Sequence, residues 1–223
     1  MEITALRLLT AHLDAQRAFY TGTLGLPLVA QDADGFTVRA GATRLTFAAS
    51  DTDAQYHFAF NIPRNMLPQA KAFLAARVPL LSKANQDQFH SDDWDADMFY
   101  FADAAGNIAE YIARRTLADD ALGDFTPATV RRVSEIGLPV DNVPAAVAAL
   151  PARLGVALYG EQEGQFAPVG DERGLFIVVR AGRHWFPTET GATVSPVAVT
   201  LRGARGDTYD VPDFPYHINV IRG

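Results

Sequence analysis

The chain has 223 residues, of which 48% are hydrophobic and 20% are charged, and its formal net charge is −7. This composition is typical of a folded chain and differs from the low hydrophobicity and high charge of disordered segments. The length allows one large domain or two small ones. An acidic chain has no overall positive field to hold a phosphate backbone, so we expect neither nucleic acid nor a membrane as a partner.

The chain contains no cysteine. Disulfide frameworks, thiolate metal sites and cysteine nucleophiles are therefore excluded together, and any metal must bind through His, Asp or Glu. The first residues lack a basic start followed by a long apolar core, and no run approaches the roughly 18 apolar residues of a membrane-spanning helix. We therefore expect a cytoplasmic protein.

The first 115 residues repeat one order of elements. Residues 3–9 alternate as a half-buried strand does, residues 14–24 have helical spacing, and three short strands follow, LPLVAQD, GFTVRA and TRLTFAA. The order then recurs, with a strand at 57–62, a helix that begins at Pro63 and runs to residue 77, and three further strands, VPLLSKA, MFYFAD and NIAEYIAR. A polar stretch at residues 85–97 interrupts this second unit.

A third unit follows a polar connector. It consists of the strand SEIGLPV, a helix at 143–154 with Gly155 as its stop, and the strands VALYG, GQFAPVG, GLFIVVR and RHWFPT. The last residues, 194–223, give a strand, PVAVTLRG, a loop, TYDVPDFP, and a strand, YHINVIRG. We divide the chain into residues 1–116 with two modules, a connector at 117–131, and residues 132–223 with a third module and an abbreviated fourth.

A repeat of about 50 residues indicates a module that buries its sheet by pairing with a copy of itself. The sequence therefore predicts an α+β protein in which βαβββ modules pair into curved mixed sheets. Three segments, FYTGTLGLPL, HFAFNIP and FYFADAAGNIAEYIAR, carry a family resemblance. With them the chain resembles the vicinal oxygen chelate superfamily, which includes glyoxalase I, the fosfomycin and bleomycin resistance proteins and extradiol dioxygenases.

The resemblance implies two metal-ligand positions per module, one early in the first strand and one in the last strand. In the second module these positions hold His57 and Glu110. In the first module they hold Ala5 and Thr46, neither of which ligates a divalent ion well. In the third module the first position holds Glu135.

Two module pairings are open. If modules pair in sequence order, the partner positions are those of the first module and the site lacks ligands. If the second module pairs with the third, as in the fused two-domain glyoxalases that this chain resembles, His57, Glu110 and Glu135 form one set of ligands. The last position of the third module, near Phe186 or Pro187, then leaves an open coordination site.

Imidazole and carboxylate donors suit zinc, nickel, manganese or iron(II) alike. The alternative interpretation is that His57, Glu110 and Glu135 are ordinary polar positions without a role in metal binding. Under it, Glu135 is a partly buried carboxylate held by an arginine such as Arg131 or Arg183.

Three further side chains are candidates for substrate binding. His90 and Trp94 lie in the acidic loop FHSDDWDAD, which is either a lid over a pocket or a solvated connector with Trp94 as its apolar anchor. Trp185 lies in GRHWFPT, either lining a cavity between modules or, with Phe186, in the core.

The resemblance implies a metal-dependent lyase, isomerase or dioxygenase that acts on a small oxygenated metabolite. Glu110 or Glu135 would then move a proton as the catalytic carboxylate. The alternative is a metal-free protein that binds or sequesters a small molecule without turnover, and the first module, which has no ligands, favours it. No phosphate loop, nucleophile elbow or HExxH motif occurs. We expect a monomer or a homodimer.

Overall fold

The computed structural model describes residues 1–160, 162–203 and 206–223. The strands and helices are, in chain order, β1 (Glu2–Thr10), α1 (Leu13–Ala18), β2 (Leu28–Gln31), β3 (Gly35–Ala40), β4 (Thr43–Ala49), β5 (His57–Asn61), α2 (Leu67–Ala75), β6 (Leu80–Leu81), β7 (Phe89–Ser91), β8 (Ala96–Ala102), β9 (Ile108–Arg114), β10 (Arg132–Val140), α3 (Val143–Leu154), β11 (Phe166–Asp171), β12 (Gly174–Arg180), β13 (Val197–Gly203), β14 (Asp207–Asp210) and β15 (Tyr216–Arg222).

The strands form two mixed sheets. The seven-stranded sheet has the order β14-β15-β13-β1-β4-β3-β2. The eight-stranded sheet has the order β11-β12-β10-β5-β9-β8-β6, and β7 pairs with β8. The α+β fold of repeated modules that the sequence predicts is therefore confirmed.

The central strands show which modules pair. β1 runs antiparallel to β13, and β5 runs antiparallel to β10. The first module thus completes its sheet with the C-terminal strands, and the second module completes its sheet with the third. Pairing in sequence order, one of the two alternatives left open by the sequence, does not occur.

The main core lies between the two sheets. Leu6 and Leu45 of the seven-stranded sheet belong to the same buried cluster as Phe60 and Ile136 of the eight-stranded sheet. A second buried cluster covers the opposite face of the eight-stranded sheet and includes Tyr100 and side chains of β12. That second face, rather than the core between the sheets, carries the candidate site.

The third helix shows how local sequence sets an element. The Asn142 side chain accepts a hydrogen bond from the Ala145 backbone N–H at 3.0 Å and caps the first turn. Gly155 ends the helix with a φ of 66°, which glycine adopts without steric cost. No helix in the described ranges has the length and apolar character needed to cross a bilayer.

Several predicted boundaries are wrong. The helix predicted from Pro63 begins at Leu67, because the Met66 N–H bonds the Pro63 carbonyl at 2.9 Å and closes a separate turn first. The helix predicted at 14–24 becomes a π-helical turn after residue 18. The segments VALYG and RHWFPT each make one isolated bridge instead of a strand, whereas residues 207–210 of the described chain, expected to be outside any strand, form β14.

Candidate metal centre

Three acidic or imidazole side chains meet on the buried outer face of the eight-stranded sheet. β5 lies between β9 and β10, and Ala59 of β5 stands opposite Glu110 on one side and Glu135 on the other. His57 precedes Ala59 by two residues and so projects from the same face. The small side chain of Ala59 leaves room between the two carboxylates.

A β-bulge in β10 helps to aim Glu135. The register of β10 against β5 shifts between Val133 and Glu135. Val133 and Ile136 both pack in the core between the sheets. In a regular strand, residues three apart project from opposite faces, so the alternation is interrupted between them. The extra residue, Ser134, therefore lets Glu135 face away from the core.

The geometry of the three groups is close to that of a coordination site. One ligand atom from each of His57, Glu110 and Glu135 lies within 4.8 Å of the other two. Nε2 of His57 is 3.7 Å from a carboxylate oxygen of Glu110. The three residues are 6%, 3% and 1% exposed, respectively.

Hydrogen bonding sets the tautomer of His57. Its Nδ1 lies 3.1 Å from the Ile108 carbonyl oxygen. A carbonyl only accepts, so Nδ1 carries the proton, and the lone pair of Nε2 faces the carboxylates. Burial lowers the pKa of His57 to about 4, and the positive charge of Arg183 acts in the same direction, whereas the bond to Ile108 opposes it.

Burial also changes both carboxylates. It raises the pKa of Glu110 well above its ordinary value, and the neighbouring Glu135 charge adds to this, while Arg114 and Tyr100 oppose it. Burial likewise raises the pKa of Glu135, against the effect of Arg114. The pair therefore favours a state with a proton or a cation between its members.

Arg114 is a site residue that the sequence reasoning missed. Its guanidinium forms a buried ion pair with Glu135, and its Nε donates to the Asn61 side-chain oxygen at 3.3 Å. Its Nη1 is buried without a hydrogen-bond partner in the described part of the chain. Spacing could have found it, because Arg114 follows Glu110 by four residues on one strand and so shares its face.

The arginines suggested from sequence as partners of Glu135 lie elsewhere. Arg131 has Nε 3.8 Å from Asp119, and Arg183 lies 5.1 Å from the ring centroid of Phe166. The carboxylate does have an arginine partner, but Arg131 and Arg183 are the wrong ones, since neither is on a strand next to β10.

A cavity of about 800 Å³ opens above the three groups. Each side chain predicted to contact metal or substrate lines it, namely His57, Glu110, Glu135, His90, Trp94 and Trp185. Segments 85–94 and 183–186 form its walls. The structure thus brings these residues together, and their roles in binding or catalysis stay predictions.

Trp185 packs directly on the floor of the cavity. Its ring centroid is 4.8 Å from that of His57, and it is buried. A Cβ atom on Gly137 would lie 2.6 Å from the indole, so glycine is required there for this close approach. The core assignment from sequence holds for Trp185 and is wrong for Phe186, which is 41% exposed at the rim beside Phe89.

The other two predicted substrate contacts differ in their surroundings. Trp94 packs against Phe166 and Tyr159, with ring centroids 6.3 Å and 5.9 Å away, and Arg114 lies 5.2 Å from its ring centroid. His90 is held by carboxylates, with Asp97 at 2.9 Å. Trp94 therefore links the 85–97 loop to the third module, as an apolar anchor would.

The strand register identifies the equivalent ligand positions in every module. In the second module, Ala59, two residues after His57, pairs with Glu110 on the neighbouring strand. In the third module, Gly137, two residues after Glu135, pairs with Ile177 on β12, so Ile177 occupies the position equivalent to Glu110. The sequence expectation of Phe186 or Pro187 for this position is therefore wrong, since the segment RHWFPT is not the strand next to β10. Ile177 cannot ligate, so three of the four positions carry donors.

The seven-stranded sheet has no equivalent donor set. Register places its four corresponding positions at Ala5, Thr46, Ala198 and Asn219. None of these is His, Asp or Glu. Ala5 and Thr46, the first-module positions that lack a ligand side chain, thus belong to the seven-stranded sheet. They do not reduce the number of donors at the site that contains His57.

The three donors fit a divalent metal. A tetrahedral zinc with bonds of about 2.1 Å holds its ligands about 3.4 Å apart, close to the 3.7 Å between His57 and Glu110. Imidazole nitrogen and carboxylate oxygen are both ordinary zinc ligands. The cavity side of the site supplies access for a small molecule.

Solved structures of other proteins show the same fold. The chain matches a Bacillus subtilis protein provisionally described as a dioxygenase, with a TM-score of 0.66, 17% identity, and coverage of 99% of this chain and 85% of that one. It matches glyoxalase I from Zea mays with a TM-score of 0.61, 11% identity, and coverage of 99% and 92%. No protein-family model matches the chain, and no curated protein matches it.

These matches confirm the resemblance at the level of fold. The chain shares its fold with glyoxalase I and with the Bacillus subtilis protein, as the resemblance to the vicinal oxygen chelate proteins led us to expect. One fold hosts many activities, so the activity has to be argued from the site.

Proposed function

We propose that the chain is a metal-dependent enzyme of the vicinal oxygen chelate type. It binds zinc, nickel, manganese or iron(II) through His57, Glu110 and Glu135, and acts as a lyase, isomerase or dioxygenase on a small oxygenated metabolite. The observation that carries the proposal is the convergence of three buried donor atoms within 4.8 Å at the floor of one cavity. Buried carboxylates are costly unless they are paired or bind a cation.

The residues divide the chemistry between them. When bound, the metal supplies Lewis acidity toward two neighbouring substrate oxygens. The lone pair on Nε2 of His57 and the carboxylate of Glu135, which the ion would share with Arg114, would hold the ion in place. Trp185 covers the imidazole and excludes water from one side of the site.

Glu110 is the better candidate for moving a proton. It has no arginine ion pair among the described residues, whereas Glu135 is fixed by Arg114. Burial raises the pKa of the Glu110 carboxyl well above its ordinary value, which favours this group for taking up a proton and passing it to a substrate atom in the cavity. Tyr100 stands directly opposite Glu110 in the ladder and restrains it.

A second candidate function is a metal-free binding or sequestering protein. The observation that favours it is the buried ion pair of Arg114 with Glu135, which balances one carboxylate without any metal. The cavity would then bind a small molecule without turnover.

Metal binding by the whole chain separates the two functions. Protein stripped with EDTA and dialysed is titrated with zinc in a calorimeter, and bound metal is counted by elemental analysis. We expect one zinc per chain for the wild type and a loss of most of the affinity for His57→Ala and Glu110→Gln. His217→Ala, which changes an exposed histidine on the seven-stranded sheet, is the matched control. A wild-type chain that binds no zinc would refute the enzyme and favour the binder.

A further inference from the structure

Arg183 lines the cavity from the segment between β12 and β13. Its backbone is fixed on both sides, since its N–H donates to the Arg180 carbonyl at 3.0 Å and its carbonyl accepts from Ala192 at 2.8 Å. Its guanidinium lies 5.1 Å from the ring centroid of Phe166, another wall residue. The charge is thus held at a defined place.

This guanidinium differs from the others near the cavity. Arg114 is paired with Glu135, and Arg115 is paired with Asp97. Within residues 1–160, 162–203 and 206–223, no carboxylate forms an ion pair with Arg183 and no side-chain oxygen accepts a hydrogen bond from it. The charge of Arg183 nevertheless reaches the site, because it contributes to the lowered pKa of His57.

We propose that Arg183 binds an anionic group of the cavity's ligand, so that the ligand is a small organic anion with a carboxylate or a phosphate. Arginine presents several N–H donors in a rigid fork that matches both groups, and contact with an aromatic ring preorganises it. A neutral ligand would leave this charge without an anionic partner among the described residues. The inference rests on the proposed function only in taking this cavity as the site where the ligand binds.

The charge balance agrees with an anionic ligand. Among the charged side chains of the cavity wall and floor, Glu135 is offset by Arg114 and Asp87 by Lys71, which leaves Glu110, Asp93 and Arg183. With a divalent cation at the floor, the site has a surplus of positive charge that an anionic ligand neutralises. Without the cation, Arg183 still offers one positive group at the wall.

The remaining wall describes the rest of the ligand. Phe89, Trp94, Phe166, Trp185 and Phe186 all line the cavity. Aromatic walls favour an apolar or planar body, and a few polar groups fix its orientation. The expected ligand therefore combines one anionic end with an apolar body.

The two tryptophans of the chain provide a direct measurement. The sequence contains only Trp94 and Trp185, and both line the cavity, so quenching of tryptophan fluorescence reports on this site. The probes are benzoate and phenyl phosphate, with benzyl alcohol as the neutral analogue. Each is titrated into protein kept metal-free with EDTA, so the outcome does not depend on metal binding.

We expect saturable binding of at least one anionic probe, and the tighter of the two identifies the anion. Arg183→Gln should weaken that binding by about ten- to a hundredfold, the usual loss of a hydrogen bond to a charged group. Arg183→Lys should keep part of the affinity. Arg180→Gln, at the exposed end of β12, is the matched control and should bind as the wild type does.

Three results would overturn the inference. They are equal binding of the tighter anion by the wild type and both Arg183 variants, binding of benzyl alcohol as tight as that of this anion, and no saturable binding of either anion. Circular dichroism confirms folding, and if Arg183→Gln does not fold, Arg183→Lys decides through its loss of affinity relative to Arg180→Gln. If the wild type fails to bind zinc but still binds the anions more tightly than benzyl alcohol, the proposed enzyme is refuted and the inference about Arg183 stands.

Discussion

Replacement of Arg114 by methionine tests whether Glu135 depends on its buried partner. Methionine keeps an apolar side chain of similar length but leaves the Glu135 carboxylate unpaired. The two side chains of this ion pair are 0% and 2% exposed, so solvent cannot compensate for the loss. Removing one partner of a buried pair costs about 3–5 kcal/mol. We expect Arg114→Met to lower the free energy of unfolding of the metal-free protein by this amount.

A double-mutant cycle isolates the ion pair. Replacing both partners, as in Arg114→Met with Glu135→Gln, leaves no buried charge, so much of the lost stability should return. Unfolding in urea at neutral pH with EDTA is followed by far-ultraviolet circular dichroism, because Trp94 near Arg114 would disturb a fluorescence signal. The neighbouring Arg115 is the matched control, since its pair with Asp97 is exposed and Arg115→Met should change stability little.

The result that refutes this reasoning is specific. If Arg114→Met unfolds within about 1 kcal/mol of the wild type, or if the double variant is as unstable as the single one, the ion pair does not stabilise Glu135. The proposed function adds a further expectation for the same variant. Loss of the guanidinium frees the Glu135 carboxylate, so Arg114→Met should bind zinc more tightly than the wild type, as measured by calorimetry.

Three other perturbations follow from the same face of the sheet and from the core. Gly137→Ala should displace the Trp185 indole and lower the free energy of unfolding by about 1–3 kcal/mol. The fluorescence emission of Trp185, measured in a Trp94→Phe background, should shift, and an unchanged emission would contradict the close packing. Because burial lowers the pKa of His57 from 6.5 to about 4, only the unfolded chain binds this proton between those values. Metal-free wild type should therefore lose about 3 kcal/mol of stability relative to metal-free His57→Gln as the pH falls through that window, because the buried carboxylates titrate in both proteins; urea unfolding of both proteins at several pH values measures this difference. Phe60→Ala should cost about 3–5 kcal/mol in the same assay, and a smaller cost would mean that the core collapses around the gap.

Much of the fold could be predicted because the repeat is visible in the sequence. Alternation and helix stops locate the long strands and α3, and Gly155 ends that helix as expected. The short elements could not be predicted, since β14 depends on pairing with β15 rather than on its own residues. Pro63 is compatible with a helix start, but it begins a separate turn that closes at Met66, and the helix starts only after that turn.

The site was predictable in part for a similar reason. His57 and Glu110 occupy the two ligand positions that the family resemblance implies for one module, whereas the proximity of Glu135 depends on which modules pair. That choice is made by long-range strand pairing, about which periodicity says nothing. The fourth position, Ile177, was misplaced because counting along the chain cannot tell which of several predicted strands lies next to β10.

The pairing of modules also explains why, among the described residues, the candidate metal-binding side chains lie on one sheet and not on the other. Both sheets have the same approximate twofold arrangement of central strands, yet the seven-stranded sheet presents only small or neutral side chains where the other presents donors. In the eight-stranded sheet, Arg114 adds a positive charge that competes with a cation for Glu135. The proposed enzyme and the alternative binder therefore differ in a single contact, namely whether Glu135 keeps its bond to Arg114 alone or shares its carboxylate with a metal held by His57 and Glu110.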